Sequence, residues 1–498
     1  MTHFPLTPVQ PRQTQDEFIV GLSAVHKNHD TYDELITIKL NAGIMRELGN
    51  IAVVGPPGSG KTRLIETNLN SWRHSAVVID LKGGVYRQTA EFRRTLGAVH
   101  VIDPRQGRGS RYNPLKVIKK HQRRELASEL VSITNDDLFW SAVAIDMWLA
   151  CWAAADHAKR PHMPYAVEIL SLGVADAMKY FLTHHGDDLA TMKHVTDFYG
   201  KNPTGESARK LADGEPSRLL ESKWATVTNT RTVFDDEQLL SVFSGHDIDV
   251  RGMFYNDSIS TVYILADETN PRVFMAFSRL VMKTLGDALI NEGDRAEVKR
   301  RPVLFLFDEF GAVRLNSAFQ WLNTMRSRDV VLVLFVQKLS QLAPVNKDYD
   351  EDDENSIHHW VLLKPTNPAG RIAKMISALS GRSVAYKERA VVEQEDLEDW
   401  QSNEAYAVIS AMKTEKYRIR IASLDILNWA NPSSAAPPPK LPAYQSPLLT
   451  VPTAPLPAQP AAAQQAYSEA REVDAVDAML SALGKRKRPA QADEESTV

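Results

Sequence analysis

A single cysteine, Cys151, stands among 498 residues. This excludes an internal disulfide and any multi-cysteine metal site, and it fits a reducing compartment. The amino terminus lacks a secretory signal: its first residues are rich in Thr, Pro and Gln, without a basic stretch leading into an apolar one. No run of about 18 uncharged apolar residues occurs. The nearest, WSAVAIDMWLACWAAAD from Trp140, is broken by Asp146 and reads as a buried helix, so the chain is expected to be soluble and cytoplasmic. A net charge of −4 gives no bulk attraction for nucleic acid, which leaves only a local basic surface for such contact.

With 43% hydrophobic and 24% charged residues, the composition is that of a globular protein, and the length calls for two or three domains. Residues 1–48 read as a leader with one strand, LITIKL (35–40). From IAVV (51–54) onward, short β-branched runs alternate with helical stretches: AVVID (76–80), AVHVID (98–103), then TVYILA (261–266), PVLFLFD (302–308), VVLVLFV (330–336) and AYAVIS (405–410). Continuous apolar runs of this length indicate parallel strands buried on both faces. Between them, 116–230 carries few strand signals and reads as an inserted all-α domain, which makes the α/β domain discontinuous, 49–115 and 231–430. Residues 431–467 are rich in Pro and Ala and read as an extended, unpacked linker. A short amphipathic helix at 468–483 and a charged tail carrying KRKR (485–488) complete a carboxyl-terminal region (468–498) expected to be disordered apart from that helix.

GPPGSGKT (55–62) follows an apolar strand and opens a helix, the context a phosphate-binding loop requires. Gly55, Gly58 and Gly60 let the backbone curl so that the loop, which also holds Pro56, Pro57 and Ser59, wraps the phosphates with its N–H groups pointing inward. Lys61 is expected on the β- and γ-phosphates of ATP, and the Thr62 hydroxyl on Mg2+. A second apolar strand ends in Asp308-Glu309. Asp308 fits the orientation of Mg2+, and Glu309 fits the general base that polarises an attacking water. An adjacent acidic pair after buried residues is costly without a cation or water network. Gln337, at the end of VVLVLFVQ, is placed to read the γ-phosphate or to serve as a strand-end amide. Arg326 and Arg328 are candidates for an arginine finger reaching a neighbouring subunit, or for ordinary helix-surface arginines.

In order along the chain, GPPGSGKT (55–62), IDLKGGVYRQTA (79–90), VIDP…RYNPL (101–115), DIDVRGMFYNDSISTVYILAD (247–267), FLFDEFGAV (305–313) and VQKLSQL (336–342) resemble the TraG/TraD-like coupling ATPases of type IV secretion, relatives of the FtsK/HerA hexameric motors. The resemblance covers roughly 50–425. It implies a RecA-like P-loop fold with a mainly parallel central sheet, Asp80 and Lys82 beside the nucleotide, and an all-α insertion at 116–230. It also implies a homohexamer that moves single-stranded DNA, or a relaxase–DNA complex, into a type IV secretion channel at the inner membrane. Two positions depart from the family pattern: the expected amino-terminal membrane helices are not found, so membrane association would pass through partners, and Gly84 stands where the family carries an acidic residue. A nucleotide-binding substrate receptor and an FtsK/HerA-like partition motor fit the same residues. DYDEDDE (348–354) reads as a solvated loop, and Trp148 and Trp152 as core at helical spacing.

Overall fold

The computed structural model describes residues 17–24, 32–39, 49–131, 138–160, 162–199, 216–255, 259–265, 271–294, 301–312, 318–342, 357–367, 369–380, 382–383, 389–390, 392, 394–409, 415–425, 427, 429, 433–445 and 449. The amphipathic segment 468–483, the KRKR run and the acidic run at 348–354 lie outside them. Two compact units separate at 133/134 and 232/233, and residues up to Gln445 belong with the first.

The first unit is built on a mixed sheet. Its strands are β1 (Glu17–Ala24), β2 (Tyr32–Lys39), β3 (Ile51–Val54), β4 (Ala76–Asp80), β5 (Gly97–Asp103), β6 (Arg108–Gly109), β7 (Ile259–Leu265), β8 (Val303–Phe307), β9 (Val330–Val336), β10 (His359–Leu363), β13 (Glu404–Ile409) and β14 (Glu415–Ile421). The remaining two, β11 (Arg382–Ser383) and β12 (Arg389–Ala390), form a separate small ribbon. In the large sheet the order is β2-β1-β14-β13-β10-β3-β9-β8-β4-β7-β5-β6. From β10 to β5 every neighbouring pair is parallel. The run VLFLF of β8 and the run VVLVLFV of β9 are buried at every residue, as strands covered on both faces must be.

The parallel register controls what meets at the carboxyl edge. Val54 is level with Val336, and Phe307 with Leu334. The residues that follow β3, β8 and β9 therefore emerge side by side. Helix α1 (Lys61–Ser71) follows β3 and α2 (Gly84–Leu96) follows β4.

Three domain expectations change. Within the expected leader, residues 17–24 and 32–39 belong to the large sheet: β1 pairs with both β2 and β14, and Phe18, Ile19 and Val20 sit in the core. Their partner β14 lies some 400 positions away in sequence, out of reach of any local reading. The insertion begins later than 116, because α3 (Pro114–Val117) and α4 (Arg123–Val131) belong with the first unit. Residues 433–445 are not an unpacked linker; they bond to α2, to the β5–β6 turn and to Ser241.

The elements described in the second unit are helices: α5 (Leu138–His157), α6 (Met163–Leu170), α7 (Val174–His185), α8 (Leu189–Tyr199) and α9 (Arg218–Arg231). Helix α5 packs against α6, α8 and α9. Its length and composition would suit a membrane span, yet Trp148, Cys151 and Trp152 are wholly buried within it. Trp148 donates its indole N–H to Thr230 Oγ1 at 2.8 Å, which satisfies the one polar atom that burial would otherwise strand. Both tryptophans are core, as their spacing indicates.

Candidate nucleotide-binding site

Between Val54 and Lys61 the chain turns sharply over the end of β9. Gly55 N–H donates to the Val336 carbonyl at 3.0 Å, which pins the loop to that strand. A side chain at Gly55 would drive its Cβ to 2.4 Å from Leu363 Cβ on β10, so no other residue fits there. Gly58 (φ 77°) and Gly60 (φ 96°) adopt the left-handed backbone that glycine reaches without strain.

Lys61 opens α1 and curls back across the loop. Its Nζ donates to the carbonyls of Gly55 at 2.5 Å and Pro56 at 2.9 Å. Burial pushes the ammonium below its ordinary range, against the pull of Glu309 and Asp308. Pro56 also accepts from Ser59 Oγ at 2.6 Å.

Asp308 and Glu309 leave the end of β8 directly opposite. Thr62 Oγ1 lies 3.4 Å from Asp308 Oδ1, across 246 positions of sequence. Glu309 Oε2 accepts from Gln337 Nε2 at 2.8 Å. Burial, then the neighbouring Asp80 and Glu309 carboxylates, push the Asp308 carboxyl up to about 7. Asp80 Oδ1 and Glu309 Oε1 are buried without a hydrogen-bond partner. The Asp308 carboxylate facing the Thr62 hydroxyl, with the orphaned Glu309 oxygen beside it, forms a donor set suited to a hard divalent cation.

These groups line one cavity of about 580 Å3, together with Pro57, Gly58, Ser59, Gly60 and Lys82. That volume falls in the range of small-molecule sites. Asp80 does not reach the cavity wall. It is fully buried, and its Oδ2 accepts the Tyr86 N–H at 2.7 Å, holding the turn from which Lys82 projects. Burial raises its carboxyl above the usual range.

A family model described as Type IV secretory system Conjugative DNA transfer matches residues 13–406. The chain belongs to this family. Two Escherichia coli proteins, both named Conjugal transfer protein TraG, are 23% and 24% identical to it over 366 residues, covering 68% of this chain and 56% of each relative. The chain thus spans about half the length of the curated relatives it matches. Among solved structures, the bacterial conjugative coupling protein TrwBdeltaN70 in its unbound monoclinic form aligns with a TM-score of 0.56 at 13% identity, covering 85% of this chain and 97% of that one. The plasmid coupling protein TrwB in complex with ADP and Mg2+ aligns at 0.52 and 15% identity, covering 78% and 87%. These likenesses establish the fold as the RecA-like P-loop type.

As a member of the conjugative DNA transfer family, the chain displays two arrangements its motifs alone did not reveal. Arg326 and Arg328 form a 3-10 turn at the amino end of β9, so a seven-residue strand, roughly 20 Å, separates them from Gln337. There Arg328 Nε pairs with Asp294 at 2.7 Å, and Arg326 donates to His358 Nε2 at 2.6 Å. The far wall of the cavity comes from Ser402, Asn403, Ile421, Ala422 and Ser423, at the β13–β14 end of the sheet. No motif marks them, and their role follows from strand order alone. Within VQKLSQL, Gln341 ties down the turn after β9: its Oε1 accepts from the Gln337 and Lys338 amides at 2.6 and 3.1 Å, and it packs where only Gly311 leaves room, 2.1 Å from a hypothetical Cβ.

Proposed function

We propose that this chain is the coupling ATPase of a conjugative type IV secretion system, hydrolysing ATP between subunits of a homohexamer to drive single-stranded DNA, with its relaxase, toward the channel at the inner membrane. The observation that carries this reading is the meeting of Lys61 and Thr62 with Asp308, Glu309 and Gln337 around one cavity at the carboxyl edge of the sheet. Family membership supplies the transport context. A position in the cytoplasm, or on the inner membrane through partner proteins, follows from the same reading.

The roles divide by geometry. Lys61 leaves the Gly55 and Pro56 carbonyls and turns onto the β- and γ-phosphates, exchanging two neutral acceptors for charged ones. Thr62 and Asp308 would hold Mg2+, which when bound would offset negative charge on the phosphates. Glu309 polarises the water that attacks the γ-phosphorus, and Gln337 fixes the carboxylate that does so. Lys82 adds a positive charge from the turn that Asp80 holds. Because Arg326 and Arg328 lie at the opposite sheet edge, either one serves as a finger only for the nucleotide of an adjacent subunit.

The test is ATP turnover by the purified full-length chain, with and without single-stranded DNA, beside a mating assay of the Glu309→Gln variant. DNA-stimulated hydrolysis, lost together with transfer in Glu309→Gln, is expected. Transfer that survives loss of hydrolysis would overturn the motor reading in favour of a nucleotide-binding receptor.

A further inference from the structure

The segment at 433–445 carries a periodicity its composition hides. Ala435 and Pro438 are buried, Leu441 and Tyr444 are half-buried, and every residue between them is exposed. A contact face recurring every third residue is the signature of a polyproline II helix, which has three residues per turn. The local sequence, AAPPPKLPAY, imposes that conformation: Pro437, Pro438, Pro439 and Pro442 fix their own φ, and each restricts the residue before it.

The hydrogen bonds follow the same register. Among the four inward residues, Pro438 has no N–H to satisfy. The other three donate: Ala435 to the Arg87 carbonyl at 2.8 Å, Leu441 to the Gly107 carbonyl at 2.7 Å, and Tyr444 to Ser241 Oγ at 3.1 Å. In the other direction, the Tyr86 hydroxyl donates to Ala436 O at 2.7 Å, Arg108 Nη1 to Pro438 O at 3.0 Å, and Gly109 N–H to Pro439 O at 2.8 Å. Gly109 sits at φ 89°, and a Cβ there would fall 1.9 Å from the Val101 carbonyl oxygen, so the turn that presents this amide depends on glycine.

We infer that the β6 edge of the first unit bears a polyproline II recognition groove, and that its ligand is this chain's own segment 435–444, docked in cis. Tyrosine and arginine side chains bonding to the carbonyls of an extended proline-rich strand is a recurrent peptide-recognition chemistry. The groove does two things. It covers the exposed edge of the large sheet, where Lys440 bridges antiparallel to Arg108. It also ties the strap to the turn below the cavity, because Tyr86 gives its amide to Asp80 and its hydroxyl to Ala436. A space of about 450 Å3 between Pro437, Pro438, Lys82 and Arg105 lies along that line.

Limited trypsin digestion of the full-length chain tests the inference. Lys440 is the only basic residue between Arg420 and Arg471, so cleavage of the Lys440–Leu441 bond is diagnostic. In the docked strap this bond is held by Leu441 N–H and should be cut slowly. Ala435→Asp and Tyr444→Asp, on the inner face, should speed cleavage about tenfold or more, since proteolysis follows the open population. Ala436→Asp and Ala443→Asp, which add the same charge on the outer face, should leave it unchanged. An excess of the 433–445 peptide carrying Lys440→Gln should accelerate cleavage of the wild-type strap. Equal rates in all four variants would overturn the groove, and cleavage that slows as protein concentration rises would overturn docking in cis in favour of exchange between copies.

Discussion

Gln337 donates its amide N–H to Glu309 Oε2 at 2.8 Å, joining the ends of two neighbouring parallel strands, β9 and β8. The other carboxylate oxygen, Oε1, is buried and has no hydrogen-bond partner. One oxygen is thereby oriented and the other left available to a water.

This pair sets the first prediction. Glu309→Gln should lower kcat for ATP by about 10² to 10⁴, the usual span for loss of a general base, with nucleotide affinity retained. Gln337→Ala should cost about tenfold in kcat, as for one lost hydrogen bond, with little change in KM. Steady-state kinetics decides: a KM effect without a kcat effect would mean that Gln337 binds substrate and does not position the base.

Lys61→Ala should weaken nucleotide binding by about tenfold or more, as expected for loss of a charge-assisted contact. Fluorescent-nucleotide titration measures this directly. Affinity unchanged from wild type would show that Lys61 keeps its bonds to Gly55 and Pro56 when nucleotide is present.

Arg93 is wholly buried at the end of α2. Its Nε donates to Thr261 Oγ1 at 2.8 Å, and its two terminal nitrogens donate to the carbonyls of Trp72 and His74. Arg93→Met keeps the bulk and removes every donor. A loss of about 3 kcal/mol is expected, because several buried acceptors lose their partners together. Chemical denaturation checks this, and a variant as stable as wild type would mean that water replaces the guanidinium.

In the helical unit, His185 is buried against Tyr165, whose hydroxyl lies 3.2 Å from Nε2, and against His157 at 2.9 Å between Nδ1 atoms. Burial, followed by repulsion from His157 and His184, lowers its pKa to about 4, despite the opposing pull of Asp188 and Asp187. An unfolded histidine titrates near 6.5, so between pH 6.5 and 4 the unfolded chain binds the extra proton. Stability should therefore fall as pH drops through that window, by at most about 1.4 kcal/mol per pH unit from this group, and stay level above it. Melting temperatures at pH 7.5 and 5.0 should differ less in His185→Gln than in wild type; an equal drop in both would assign the acid sensitivity elsewhere.

Legibility in the sequence tracked the distance over which each feature is specified. The phosphate loop was readable because its geometry arises within eight consecutive residues, where glycine spacing and the flanking strand and helix impose the turn. The strands β8 and β9 announced themselves through uninterrupted apolar runs. The turn at Asp80 was legible as a motif, yet its carboxylate faces inward to Tyr86 while Leu81 and Lys82 reach the cavity. The strand β10 was hidden, because HWVLL is short and follows an acidic stretch.

What the sequence by itself determined is the chemistry available: a glycine loop with Lys61 and Thr62, an acidic pair after a buried strand, a glutamine after the next, and prolines that force an extended segment. Only the tertiary structure decided which of these meet. Thr62 faces Asp308 because β3, β9 and β8 are adjacent and in register, and Ser402 and Ile421 wall the cavity because β13 and β14 close the same side of the sheet. The proline-rich strap docks because Arg108, 330 positions before Pro438, is carried to its path by the β5–β6 turn. Short-range geometry is imposed by dihedral preferences carried in each residue, whereas pairings hundreds of positions apart exist only once burial of the shared sheet has outweighed the entropy of bringing those segments together.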